Sequence, residues 1–373
     1  MSKYKIAILT EQINTHSGSR AAVELTKRLL PLNKSITLYA YNRNLDQEEV
    51  KKLKKLKAKI ITLKKPFFLS KFFPNLKLLN TLRKEKPDFA IFCGTLPFFL
   101  SAKLANIKII RIYMGTQFDA YLENKLPDEP KNLPSIFANR LSNIYIYLNE
   151  LITARFSTYI IAISKYTELE LAKLYKRKAD RIIYLGGNHL PKLKTKKNKS
   201  LKLLTISRIT PYKGFHILIE EINKLKNVNL TIVGPPEKKN YLKYLKTISS
   251  PNILFKNEST DTDISTLYAS SDVYVTADRN LFFGFPIAEA SFFGKSTIAF
   301  SYAAAKELVE NNKTGYLVKN EIAFSAAIKK YIKNPKLISE MGLQAKVNAE
   351  KNFNWSKIAI EYQNTFNVFD KTK

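Results

Sequence analysis

The chain predicts an α/β protein built from two doubly wound, Rossmann-like domains, and three observations carry that expectation. Its 373 residues exceed one ordinary domain and suit two, each able to bury its own core. Short β-branched and aromatic runs alternate with longer amphipathic stretches, the pattern of βαβ units around a parallel sheet. In mid-chain a segment rich in Gly, Pro and Lys interrupts the alternation, which then begins again.

In the first half, strands are predicted at Lys5–Leu9, Ile36–Tyr41, Lys59–Leu63, Phe89–Gly94, Ile107–Tyr113, Tyr159–Ser164 and Arg181–Leu185. Ser19–Leu30 and Lys165–Lys176 are helix-like segments between them. Gly186 to Lys192, followed by Lys and Asn to Lys199, has no apolar period and reads as an exposed linker. Further strands are predicted at Leu201–Ser207, Leu230–Gly234, Ile253–Phe255, Val273–Thr276, Ser296–Phe300 and Gly315–Val318. The domains expected are therefore 1–188 and 201–352, joined by a linker at 189–200, with an amphipathic helix from Trp355 to Phe369. Two open α/β sheets would leave a cleft at the carboxyl ends of their strands, where ligands of such sheets bind.

A hydrophobic content of 45% excludes a disordered chain. Charge is unbalanced: 62 Lys+Arg against 31 Asp+Glu gives +31. That field favours anionic partners, or is a solvated Lys-rich surface; it says nothing about fold. Cys93 is the sole cysteine and reads as a small core residue, so neither an intrachain disulfide nor a Cys-based metal site is expected. His16, His189 and His216 show no ligand spacing, and no metal is expected. The amino-terminal pattern is a short strand rather than a signal peptide. Tyr145–Ile163 is broken by Asn149, Glu150 and Arg155, short of the roughly 18 apolar residues a membrane span needs. A cytoplasmic protein, soluble or peripheral at the inner face of the membrane, is expected.

Two segments carry chemistry. In Leu203–Gly214 an apolar strand runs into a turn bearing Arg208 and Lys213. An Arg fork matches phosphate oxygens bidentately, Lys adds a mobile point charge, and Gly214 lets the next helix begin close to a ligand. The alternative is a solvated turn with two surface cations. In Phe283-Gly284-Phe285-Pro286-Ile287-Ala288-Glu289-Ala290 a carboxylate sits just inside a helix, where it could take both hydroxyls of a ribose or merely compensate the helix dipole. Asn14 to Arg20, containing His16 and Gly18, follows the first strand as a candidate anion-facing loop. At the end of the fifth strand Thr116, Gln117 and Asp119 are polar groups able to face an acceptor or a donor sugar.

Together these segments resemble the nucleotide-sugar site of the retaining glycosyltransferases of family 4, over nearly the whole chain. The resemblance implies a GT-B fold whose terminal helix, within 353–373, crosses back onto the amino-terminal domain. It implies transfer, with retention and without a metal or cofactor, from a nucleoside-diphosphate sugar to a glycan, lipid-linked or protein acceptor. Arg208 and Lys213 would bind the diphosphate, Glu289 the ribose, and Phe285, Pro286 and Gly18 would also contact the donor. His16, Thr116, Gln117 and Asp119 would lie on the acceptor side. Four departures mark a divergent member. Leu281 stands where the family has a Glu eight residues before Glu289, and Phe282 follows where Gly is usual. Gly18-Ser19 stands for paired glycines, Met114 for a His, and Ala303-Ala304 for the glycines of a Gly-Gly-x-x-Glu pattern ending at Glu307. Asp278 is a candidate substitute for the missing carboxylate. A nucleotide-sugar-binding protein without turnover is the alternative that these departures keep open.

Other signals are weaker. Gly294-Lys295-Ser296 ends like a phosphate-binding loop but lacks the upstream Gly and reads as a helix-to-strand turn. Asp261-Thr262-Asp263 reads as a helix cap rather than a metal site. No Gly-x-Gly-x-x-Gly fingerprint supports a nicotinamide dehydrogenase. The basic run Lys51–Lys59 and the aromatic run Pro66–Pro74 suit an anionic membrane surface, or else a solvated helix followed by an aromatic core segment. The charge also keeps open a nucleic-acid-directed glycosyltransferase, although no aromatic-basic recognition module is visible.

Overall fold

A computed structural model describes residues 4–14, 17–43, 45–67, 69–116, 133–194, 200–257 and 260–371. They form two compact units. The first is built from Met1–Thr116, Arg140–Leu185 and Trp355–Lys373, and the second contains Gly186–Asn354.

The first unit is a seven-stranded parallel sheet, in the order β3-β2-β1-β4-β5-β6-β7. Its strands are β1 (Lys5–Thr10), β2 (Ser35–Tyr41), β3 (Lys59–Leu63), β4 (Phe89–Cys93), β5 (Lys108–Tyr113), β6 (Tyr159–Ala162) and β7 (Arg181–Ile182). Alternation of strands and helices leaves both sheet faces covered, so the central strands read as near-continuous apolar runs. In β4, Phe89, Ala90, Ile91 and Phe92 are all buried. The expected seventh strand at Arg181–Leu185 shortens to two residues. It is an edge paired only with β6, and after Ile183, whose N–H donates to Ala162 O (3.0 Å), the chain departs toward Gly186.

The last helix, Trp355–Lys371, completes this unit. Phe366 packs on Phe89 (4.7 Å between ring centroids) and on Tyr4, while Asn33 donates to Gln363 (2.8 Å). The aromatic segment is not core: Phe67 is 86% and Phe73 64% exposed. Phe72 meets the Tyr145 ring edge-on at 5.2 Å. The basic run is a solvated helix, Gln47–Lys55, capped by Asp46 and crossed by Lys52 pairs with Glu48 and Glu49.

The second unit is a six-stranded parallel sheet, ordered β10-β9-β8-β11-β12-β13. These are β8 (Leu201–Ile206), β9 (Val228–Val233), β10 (Ile253–Lys256), β11 (Val273–Thr276), β12 (Ser296–Phe300) and β13 (Gly315–Val318). Strand order reverses between β8 and β11, the point at which an open α/β sheet forms a ligand crevice. The two strands pair only at Val273↔Leu203 and Tyr274↔Leu204, so their carboxyl ends separate.

The expected linker needs correction. Contacts assign Gly186 onward to the second unit, and the His189 side chain is fully buried there. Gly187 explains the close approach: a Cβ on it would stand 2.6 Å from the Ala288 carbonyl carbon. The cap at Asp261-Thr262-Asp263 is also displaced by one residue. Thr260 accepts from Asp263 N (3.1 Å), and the two Asp residues occupy the first turn, where they complement the helix dipole.

Candidate functional site

The site grows from the two strands that flank the reversal. After β8, Arg208 leaves the sheet and Thr210-Pro211-Tyr212-Lys213 makes a single 3₁₀ turn. Proline suits the first position of such a turn, because its φ is already fixed and its missing N–H is not needed. Gly214 ends the turn at φ +70° and starts the helix Phe215–Asn223. A Cβ at Gly214 would meet both the Cβ and the carbonyl oxygen of Ala277 at 2.9 Å. The closeness this glycine permits is therefore to the end of β11, and it brings Lys213 to Asp278.

Lys213 Nζ forms an ion pair with Asp278 Oδ2 and lies 4.8 Å above the Tyr212 ring. Asp278 is only 2% exposed, and its other oxygen accepts from Asn280 N (2.9 Å) in a local turn. Arg208 is half exposed, donating to Tyr212 Oη (3.0 Å) and standing 3.3 Å from Glu237 Oε1. Tyr212 thus holds both cations, one at its hydroxyl and one over its face. Neighbouring Arg279 turns elsewhere, to Glu321 and the Phe300 ring.

Glu289 lies on the helix Phe285–Phe292, which starts after Gly284 at φ +99° with Pro286 in its first turn. Tyr268 Oη donates to Glu289 Oε2 (2.8 Å), and His189 Nε2 lies 3.0 Å from Oε1. The His189 ring meets Phe285 edge-on at 6.2 Å. These contacts orient the Glu289 carboxylate on its helix, where it is 7% exposed. Tyr274 links the two halves of the site. Its hydroxyl donates to Ile206 O (3.3 Å), and burial first, then the charges of Glu289 and Asp278, push the phenol above its usual range.

Arg208, Lys213, Asp278, Phe285, Pro286 and Glu289 therefore all belong to the second unit, on elements at or following the reversal. Gly18 and Thr116 belong to the first. A Cβ at Gly18 would stand 2.8 Å from Met114 Sδ, so the thioether packs against this glycine. Thr116 is turned inward: its N–H donates to Glu170 Oε2 (3.0 Å) and its hydroxyl accepts from Tyr175 Oη (3.1 Å). His16, Gln117 and Asp119 lie outside the described residues. Leu281 is 9% exposed, and Ala304 N donates to its carbonyl (3.0 Å). Asp278 does not stand free in place of the missing glutamate, because Lys213 engages it.

Tyr212, Tyr268 and His189 join the site without having been expected from the sequence. The first was visible between Arg208 and Lys213. The other two gave no local signal, since only folding brings them to Glu289.

The pattern of sheets and crevice is that of known glycosyltransferase structures. The chain aligns with Anabaena Alr3699/HepE in complex with UDP-glucose at a TM-score of 0.75 and 17% identity, covering 98% of this chain and all of that one. The protein has the GT-B fold. Residues 189–348, which contain the whole Arg208–Glu289 constellation, match the family model described as Glycosyl transferases group 1. Among curated relatives it is similar to an uncharacterized glycosyltransferase of Haemophilus influenzae, 28% identical over 201 residues, half of this chain and 56% of the relative. It is also similar to the capsular polysaccharide biosynthesis glycosyltransferase CapM of Staphylococcus aureus, 28% identical over 252 residues, 61% of this chain and 66% of CapM. The matched segments thus span between 56% and 66% of these relatives' lengths.

Proposed function

We propose that the protein is a glycosyltransferase whose second unit holds a nucleoside-diphosphate sugar and moves the sugar to a glycan, lipid-linked or protein acceptor with retention. The observation that carries this is the pair of cations gathered around Tyr212 at the strand reversal, with the Glu289 carboxylate on the helix after β11. Arg208 and Lys213 meet the diphosphate, and Glu289 takes the ribose hydroxyls. The bond from the sugar's anomeric carbon to the phosphate oxygen breaks, and a bond to the acceptor oxygen forms on the same face. The acceptor's proton passes to the departing diphosphate, whose growing charge the fixed cations stabilise. No metal is needed for that neutralisation.

Leu281 favours one second reading, a protein that binds the nucleotide sugar without transfer, because a buried alkyl group cannot support charge at the donor sugar. Transfer and hydrolysis across a panel of nucleotide sugars, with glycan and lipid acceptors, separates the two. Turnover of one donor, lost in Arg208→Ala together with about 1.5–3 kcal/mol of donor affinity, supports transfer. Donor binding without turnover supports the second reading, and unchanged affinity in Arg208→Ala removes that residue from the site.

A further inference from the structure

Each cation at the proposed anion site carries a carboxylate of its own, and the two pairs differ in depth. Arg208 and Glu237 meet at the surface, their side chains 51% and 39% exposed. Lys213 and Asp278 meet under cover, at 15% and 3%. Exposed pairs exchange with water and are worth little, whereas a buried pair resists separation because each partner left alone keeps its desolvation cost. Asp278 is also pinned, by Asn280 N–H on its second oxygen and by Gly214 packed against Ala277 beside it. Both contacts favour keeping its carboxylate beside Lys213.

We propose that Asp278 is the resident counter-ion of Lys213, a specificity-determining residue that weakens the grip of the site on diphosphate. It fixes the ammonium at the crevice in the empty protein. With a ligand bound, phosphate and carboxylate compete for one ammonium, and the fixed negative charge repels the phosphates. The consequence is a site that releases a free nucleoside diphosphate, the product left when a sugar is transferred, more readily than its two cations alone would allow. This rests on the proposed nucleotide-sugar reading.

The test is calorimetric titration of the full chain with UDP, GDP and ADP, and with the corresponding nucleoside of whichever binds. Asp278→Asn keeps an oxygen for Asn280 N–H, and Asp278→Ser serves the same comparison if the amide does not fold. Glu321→Gln, which removes one negative charge from the same unit at the Arg279 pair, controls for net charge. The expected result is a diphosphate bound at least threefold tighter by the Asp278 variant, with the bare nucleoside unaffected and Glu321→Gln matching wild type. Equal or weaker diphosphate binding by a folded Asp278 variant overturns the counter-ion role. Equal tightening in Glu321→Gln overturns it too, by making the effect one of overall charge. Failure of the wild type to bind any of the three diphosphates instead overturns the nucleotide site itself, and this inference with it.

Discussion

Lys295, in the turn just before β12, has its ammonium buried, donating to Ser271 O (2.6 Å), and is 5% exposed overall. Burial lowers its pKa from 10.5 to about 8, with Asp272 pulling the other way. Between those values the unfolded chain holds a proton that the folded chain does not, so stability rises with pH across that window. Below about 8 both states are protonated, and the cost of burying the charge is present in full. Lys295→Met lacks this titration. Urea midpoints measured from pH 7 to 10 should show wild type gaining on the variant as pH rises. A constant gap across that range would mean the ammonium is not desolvated. From sequence the segment Gly294-Lys295-Ser296 was legible as a turn, and it is one: Gly294 N donates to Ser291 O (2.9 Å). That its lysine points inward was not legible, because only the packed carbonyl of Ser271 supplies a partner.

At the scale of elements, the glycines separate what local pattern reveals from what packing decides. Gly214 was readable as the start of a helix, because Pro-x-x-Gly after a strand marks a tight turn. Its actual constraint, contact with Ala277, comes from a strand about sixty residues away and lies outside any local window. Gly342 gives no signal at all, since a glycine inside a helix is ordinarily just unfavourable by about 1 kcal/mol. In the helix Lys336–Asn352 a Cβ at that position would stand 2.1 Å from Gly294 O, in the turn that leads to Lys295. Gly342→Ala should destabilise the second unit by about 1–3 kcal/mol despite the better helix propensity of alanine, since backbone must shift to admit it. Thermal unfolding checks this, and a stabilised variant would show that the helix and turn are not in register as described.

For the molecule as a whole, the charge of +31 and the exposed aromatics of the first unit belong to one question. Phe67, Phe73 and Leu76, at 86%, 64% and 68% exposed, share a short stretch with Lys64, Lys65 and Lys71. Among the described residues no helix is long and apolar enough to cross a membrane. We propose that this stretch attaches to an anionic bilayer surface, which would use both features. Sedimentation with vesicles containing anionic lipid should then fall steeply as salt rises, each lysine near the surface contributing up to about 1 kcal/mol. Substituting Phe67 and Phe73 together by Ser should reduce binding even at low salt. Absence of binding at low salt would leave the charge as solvated surface.

The sequence by itself determined the two sheets and the candidate anion site. Strand and helix periods are local, and Arg208, Lys213 and Glu289 lie in short motifs whose spacing follows from the strand ends that carry them. Tertiary structure alone decided which groups those side chains meet. Strand reversal set Asp278 against Lys213, and a segment that reads as solvated linker turned His189 inward to Glu289. It also joined the last helix to the first unit, where Phe366 covers Phe89. The physical reason is that an ion pair or a buried contact depends on distance in space, and these partners stand from 65 to more than 270 residues apart along the chain.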